Sequence, residues 1–161
     1  MAEGEFALVR QHLEAAIGKL PLPIGWPVAD HDLYALLAEA CASQRDLGGL
    51  RRYAPLAETL AARHGHTLYQ AIAHRAWGVL HRLTGEYAEA EARLNQALEL
   101  FRDLDTRWQI GRTLFELGEL AAAQNNIASA YHYFHRALVS FEEMKAAPDA
   151  ARVRAALEAF G

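Results

Sequence analysis

The sequence contains a single cysteine, Cys41, so an intramolecular disulfide is impossible and packing must hold the fold together. Cys41 lies in an apolar helical stretch, where we expect it to behave as a small buried hydrophobic residue. Proline is also scarce, with five residues in the chain, and three of them fall within residues 21–27. A helix is excluded there because proline removes backbone donors and restricts the preceding residue. We therefore predict a linker over residues 21–30.

Long apolar runs and excess positive charge are absent as well. No uninterrupted apolar run approaches the roughly 18 residues that a membrane-spanning helix needs. The N-terminus is acidic, with Glu3 and Glu5, where a signal peptide would be basic. The formal net charge of −4 disfavours nonspecific binding to nucleic acid, which depends on Lys and Arg. We expect a cytoplasmic protein with no membrane span and no nucleic-acid partner.

A pattern of small and large residues repeats every forty residues. Gly78 has Ala38 and Gly118 as its counterparts, and Phe101 recurs as Phe141. Ala is frequent, and it is the best helix former. A repeat of this size, built from two helical patterns and a turn, is typical of a solenoid whose units stack to bury a shared core. The predicted fold is an all-α, right-handed solenoid of helical hairpins, with about three repeats and a half repeat at each end.

The period divides the chain into one domain with six segments. They are a half repeat at 4–20, the linker at 21–30, repeat 1 at 31–64, repeat 2 at 67–104, repeat 3 at 106–145 and a capping helix at 148–160. Gly85 suits the turn inside repeat 2, because glycine adopts the left-handed backbone that ends a helix. Arg45 is a poorer residue for the same turn in repeat 1. Pro55 predicts a kink or a late start in the second helix of repeat 1.

Close helix packing is predicted where a small residue faces a large one. Gly78 and Gly118 would let helices approach, with Leu94 or Phe134 filling the space beside them. Repeats 2 and 3 share this arrangement along their length: Trp77, Gly78, Gly85, Tyr87, Ala90, Leu94 and Ala97, and then Leu117, Gly118, Asn125, Ile127, Ala130, Phe134 and Ala137.

These residues resemble the pattern of the tetratricopeptide repeat family, although the terminal proline of that pattern is missing. The period of forty is similar to that of the sensor repeats in large bacterial signal-transduction ATPases and regulators. The resemblance implies a concave groove, lined by the first helix of each repeat, that binds a protein or peptide. Its groove positions would be Asp32, Glu39, Arg75, Val79, Arg82, Arg112, Phe115 and Glu119.

The three arginines of this set could clamp carboxylates or phosphates. The alternative is a solvated face whose charges pair with Glu39, Glu116 and Glu119. Under the first interpretation the chain is a noncatalytic scaffold or regulatory module that binds a partner in its groove.

Two other functions stay open. The half repeat lacks its own partner helix, so Phe6, Leu13 and Ile17 could form a homodimer interface. A compact pocket near Arg75, Arg112 and Phe115 would instead favour a small-ligand sensor within a larger regulator.

Enzymatic and metal-binding motifs are not visible in the sequence. There is no nucleophile motif, no phosphate-binding glycine loop and no cysteine with a recognisable histidine partner. His132 and His135 lie one helical turn apart, but neither Cys nor a carboxylate joins them at a metal-site spacing. We predict that the chain is not an enzyme and has no metal or other cofactor.

Overall fold

The computed structural model describes residues 3–19 and 30–159, and the regular structure in these ranges is helical. The helices are α1 Glu3–Lys19, α2 Asp30–Ser43, α3 Leu47–His64, α4 Thr67–Thr84, α5 Tyr87–Asp103, α6 Arg107–Ala123, α7 Ile127–Glu143 and α8 Ala147–Glu158. Helix α2 begins at Asp30, and the rest of the predicted linker lies outside the described residues. None of the helices in the described ranges combines the length and the apolar character that a membrane span requires.

One type of turn joins all the consecutive helices from α2 to α8. Each turn has one residue with a left-handed backbone, and these residues are evenly spaced at twenty: Arg45, Gly65, Gly85, Asp105, Asn125 and Lys145. The next backbone N–H donates to a carbonyl five residues earlier, as from Glu86 to His81 at 2.9 Å. This bond satisfies a carbonyl that the end of the helix would leave unpaired. The helices therefore end at regular intervals and the chain reverses direction each time.

The helices pair as hairpins, and the hairpins stack. The hairpins are α2 with α3, α4 with α5, and α6 with α7. Each second helix contacts the first helix of the next hairpin, and the first helices α2, α4 and α6 contact one another in order. At the ends, α1 packs on α2 and α8 packs on α7. The prediction of an all-α solenoid of helical hairpins is confirmed.

Glycines inside the first helices allow the close approach that the repeat pattern predicts. A Cβ atom at Gly78 would lie 2.6 Å from Leu94 Cγ, and one at Gly118 would lie 2.5 Å from Phe134 Cδ1. Leu94 and Phe134 are both completely buried. The predicted pairing of small and large residues between α4 and α5, and between α6 and α7, is confirmed.

Helix α3 departs from its prediction at Pro55. The expected late start is wrong, because α3 begins at Leu47 and continues through Pro55. Proline cannot donate the helical hydrogen bond to the carbonyl of Arg51. Leu50 and Tyr53, five and two residues before the proline, are buried in the core of the hairpin, and their burial offsets this loss.

Among the described side chains of α1, one apolar residue and two polar ones contact the first hairpin. Leu13 packs partly buried on the core formed by α2, α3 and α4. Arg10 forms an ion pair with Asp46 in the turn after α2. Glu14 accepts a hydrogen bond from the hydroxyl of Tyr53 at 3.0 Å. These contacts fix α1 at the start of the stack.

Candidate functional site

The first helices of the hairpins bring three charged side chains together in the interior. Glu39 on α2 accepts a hydrogen bond from Arg75 Nη2 on α4 at 2.7 Å, and it also pairs with Arg112 on α6. The side chains of this buried triad are each at most 9% exposed. Arg112 also donates to Ser43, and Arg75 Nη1 donates to the carbonyl of Gln109 at 3.2 Å. All three charges therefore have polar partners inside the chain.

The triad reveals the shape of the surface formed by α2, α4 and α6, which we call the inner face. Arg112 reaches Glu39 directly, although α4 lies between α2 and α6 in the stack. This contact requires the three helices to curve toward one another on that side. The inner face is therefore concave.

A second group of charges, the Glu116 cluster, lies beside the triad. It consists of Glu116 and Glu119 on α6, Arg82 on α4 and Arg45 in the turn after α2. Arg45 Nη1 donates to both carboxylate oxygens of Glu116, at 2.8 and 2.9 Å. Arg82 lies 3.4 Å from Glu116 and 3.6 Å from Glu119. This cluster also bridges α2 and α6 across α4.

Burial and pairing act in opposite directions on the ionisation of these groups. Burial lowers the pKa of Arg75 to about 10, although the attraction of Glu39 opposes the shift. Burial alone would raise the pKa of Glu116, but the nearby charges of Arg45, Arg82 and Arg152 lower it to about 2. Both groups are therefore charged at neutral pH.

Aromatic rings support the arginines at the α8 end of the inner face. The guanidinium of Arg112 lies 4.7 Å from the ring centre of Trp108, and that of Arg152 lies 4.5 Å from the ring centre of Phe115. Trp108 Nε1 donates to Asp149 on α8 at 3.0 Å, which joins α6 to α8. Cations over ring faces gain electrostatic stabilisation, and the rings restrict where the guanidinium groups can lie.

A small cavity lies between these side chains. It is lined by Arg112, Phe115, Glu116, Phe141, Asp149, Arg152 and Val153, and its volume is about 10 Å³. That is room for about one water molecule. A small organic ligand does not fit in this cavity, so its size does not support the small-ligand sensor.

The predicted groove residues fall into two groups in the structure. Glu39, Arg75 and Arg112 meet in the triad, and Arg82 and Glu119 meet in the Glu116 cluster. The alternative prediction, pairing with Glu39, Glu116 and Glu119, is right about the partners. It is wrong about solvation, because most of these charges are buried.

The other predicted groove residues are placed differently. Val79 is fully buried and Phe115 is 6% exposed, so both belong to the core. Asp32 is partly buried and accepts a hydrogen bond from Tyr69. Burial, together with this hydrogen bond, raises the pKa of Tyr69 to about 12.

The part of the chain that contains α4 to α7 is similar to a known protein family. Residues 69–143 match the family model described as tetratricopeptide repeat. Residues 69–143 carry tetratricopeptide repeats. No curated protein is detectably similar to it. Tetratricopeptide repeats are in general scaffolds for protein–protein interaction and typically noncatalytic.

Three residues on or beside the inner face, Arg45, Glu116 and Arg152, were not predicted as part of the groove. Arg45 lies in a turn rather than in a first helix, so helix periodicity gives no signal for it. Glu116 was considered only as a partner of other charges. Arg152 has a clear signal, since it lies forty residues after Arg112 and occupies the same position in the next first helix.

The residues considered for metal binding and self-association lie away from this site. His132 and His135 are exposed on α7. Among the described residues, no group of three or more metal-ligating side chains comes together. Of the three predicted interface residues, Leu13 is partly buried against α2–α4, and the side chains of Phe6 and Ile17 lie outside the described part of the chain.

Proposed function

We propose that the chain is a noncatalytic binding module that holds a segment of a partner protein along its inner face. The contact between Arg112 and Glu39 across α4 carries this proposal. A surface that is already concave and fixed by internal contacts loses little conformational entropy when a partner binds. The general role of tetratricopeptide repeats as interaction scaffolds supports the same function.

The partner would contact the edge of the inner face rather than its centre. Arg75 and Arg112 are buried and already bonded within the chain, so an incoming ligand would have to break those bonds. Arg45 and Glu119 are about a quarter exposed, and Arg152 is partly exposed. These side chains can meet a partner without disrupting the triad.

Site-specific photo-crosslinking tests this proposal. The crosslinking amino acid p-benzoylphenylalanine would replace Glu119 at the edge of the inner face. In a matched variant it would replace Glu99, which is exposed on α5. Both full-length variants would be irradiated in a native lysate, and the adducts would be identified by mass spectrometry. Circular dichroism would verify that both variants are folded.

We expect the Glu119 variant to give a discrete protein adduct that the Glu99 variant does not give. Adducts at Glu99 alone, or at neither position, would contradict binding on the inner face. The cytoplasmic location and the homodimer through α1 stay predictions.

A further inference from the structure

The repeat that generates the buried triad also generates an incomplete copy of it. Forty residues after Glu39, Arg75 and Arg112 stand Val79, Phe115 and Arg152. In the copy the carboxylate is replaced by a buried valine, and the central arginine by a phenylalanine. Arg152 is the one charge that remains, and the residue at the position of its carboxylate partner is apolar.

The surroundings of Arg152 leave its charge without a carboxylate of its own. Within residues 3–19 and 30–159, no side chain forms a hydrogen bond or an ion pair with Arg152, and its contact is the ring of Phe115. Glu116 is near enough to attract Arg152 electrostatically. Both oxygens of Glu116, however, already accept hydrogen bonds from Arg45, and one also accepts from Arg82.

This arrangement is unfavourable for the chain alone. Arg152 is partly buried, and burial lowers its pKa. A cation removed from water needs a counter-charge and hydrogen-bond acceptors to offset the loss of hydration. A planar guanidinium held over a ring keeps its N–H groups oriented and available for a bidentate carboxylate.

We propose that Arg152 binds a carboxylate side chain of an acidic partner segment. This carboxylate would pair with Arg152 as Glu39 pairs with Arg112. The proposal rests on the proposed function, because the inner face must be the binding surface. The neighbouring cavity holds about one water molecule, so the carboxylate would lie at its mouth, against the exposed edge of Arg152. An acidic protein segment fits better than a nucleic acid, because one guanidinium matches one carboxylate, whereas nucleic-acid binding depends on neutralising several phosphates with Lys and Arg.

The test uses a defined probe with the full chain. The probe is a fluorescein-labelled hexaglutamate peptide with blocked ends, and hexaglutamine with the same label is the neutral control. Anisotropy would measure binding to the wild type and to the variants Arg152→Gln, Arg152→Lys and Arg154→Gln. Arg154 is the matched control, because it lies on the same helix but is about half exposed and pairs with Glu142.

We expect the wild type to bind hexaglutamate and not hexaglutamine. Loss of a charge-assisted bidentate contact should weaken binding about tenfold in Arg152→Gln and less in Arg152→Lys. Binding by Arg154→Gln should change less than about twofold, because an exposed pair contributes little. The thermal midpoint of Arg152→Gln should change little, since the cost of burying the charge and its attraction to Glu116 oppose each other.

Three outcomes would overturn the inference. The first is that the wild type and Arg152→Gln bind hexaglutamate with equal affinity. The second is that Arg152→Gln and Arg154→Gln lose the same amount of affinity for hexaglutamate. The third is displacement of the probe by decauridine RNA at a lower concentration than by unlabelled hexaglutamate.

The two proposals can fail separately. If a partner crosslinks at Glu119 and still binds Arg152→Gln, the inner face is the binding surface, but the proposal of an acidic ligand at Arg152 is wrong. If hexaglutamate binds through Arg152 but no partner crosslinks at Glu119, Arg152 is a carboxylate site, but the proposed function is wrong.

Discussion

Gly118 is the residue at which the packing of α6 on α7 is most sensitive to added volume. A methyl carbon there would lie 2.5 Å from Cδ1 of Phe134. The Phe134 ring is completely buried, so it has no free space into which it can move. Alanine would improve helix propensity by about 1 kcal/mol. Overpacking typically costs about 1–3 kcal/mol, and the closeness of this contact favours the upper part of that range.

We expect Gly118→Ala to lower the free energy of unfolding by about 1–2 kcal/mol, as measured by urea denaturation. Gly48→Ala is the control, because its added methyl group would lie at an ordinary 3.5 Å from Asp46 Oδ1 on an exposed part of α3. A Gly118→Ala variant as stable as Gly48→Ala would contradict the close approach of the two helices.

Glu116 makes the stability of the chain depend on pH in the acidic range. Its pKa is about 2 in the folded chain, against an ordinary value of 4.5. A carboxyl group with a lowered pKa stabilises the fold fully above its ordinary value, and this stabilisation is lost as pH falls toward the folded value. Unfolding free energies at several pH values should therefore fall less steeply between pH 4.5 and pH 2 in Glu116→Gln than in the wild type.

Glu91→Gln is the control for this pH dependence, since Glu91 is exposed on α5. Its slope should match that of the wild type. Equal slopes in Glu116→Gln and the wild type would show that Glu116 is not paired with Arg45 and Arg82 as described.

At the residue scale, periodicity predicts contacts better than it predicts burial of charge. The pairing of Gly118 with Phe134 follows from one forty-residue period and the sizes of the residues. The same period relates Arg75 to Phe115, and Arg112 lies one helical turn before Phe115, so Arg75 and Arg112 share one face. It does not predict that both are buried, because burial depends on how strongly the helices curve and on which carboxylate reaches across them.

The left-handed turns set the stability of each connection between helices. Lys145 adopts φ 56° between α7 and α8, and Gly85 adopts φ 83° between α4 and α5. A left-handed backbone costs residues with a Cβ about 1–2 kcal/mol relative to glycine. Lys145→Gly should therefore raise the free energy of unfolding by about 1 kcal/mol, and Gly85→Ala should lower it by a similar amount.

Thermal denaturation of both turn variants measures this effect. Because the two midpoints should shift in opposite directions, each variant serves as the control for the other. Both side-chain positions are exposed, so a change in packing does not compete with the backbone effect. A midpoint shift of the same sign in both variants would contradict a shared turn geometry.

At the element scale, local sequence predicts helix ends well where a turn residue is distinctive and poorly where it is not. Gly85 and Asn125 mark their turns in the sequence. Arg45 and Lys145 give no such signal, yet they adopt the same left-handed backbone. Pro55 also departs from what the local sequence predicts. Burial of its neighbours keeps α3 continuous through a residue that normally interrupts a helix.

For the whole molecule, the contacts from α2 to α6 couple units that are not adjacent in the stack. In a simple solenoid each repeat touches only its neighbours, so stability is nearly a sum of local contributions. Here Glu39 joins α2, α4 and α6. Helix α8 lies outside the triad, and Ala150 and Val153 are its buried residues.

Native-state hydrogen exchange should therefore show the slowest amides in α4 and α6 and faster exchange in α8. Glu39→Gln leaves two buried cations facing a neutral amide, which should cost about 3 kcal/mol. We expect protection to fall together in α2, α4 and α6, with little change in α8. A loss restricted to α2 would contradict the coupling, and Glu91→Gln should leave every helix unchanged.

The even spacing of the six turns has a consequence for how such a chain can change in length. Tandem duplication of any forty residues that lie between Arg45 and Lys145 would bring every left-handed residue back into phase with its neighbours. A duplication of another length would shift large residues such as Phe134 away from the glycines that face them. Changes in length that keep the stack intact are therefore limited to whole units of forty residues. The charged triad, which spans three units, would then be copied in altered form, as Val79, Phe115 and Arg152 are.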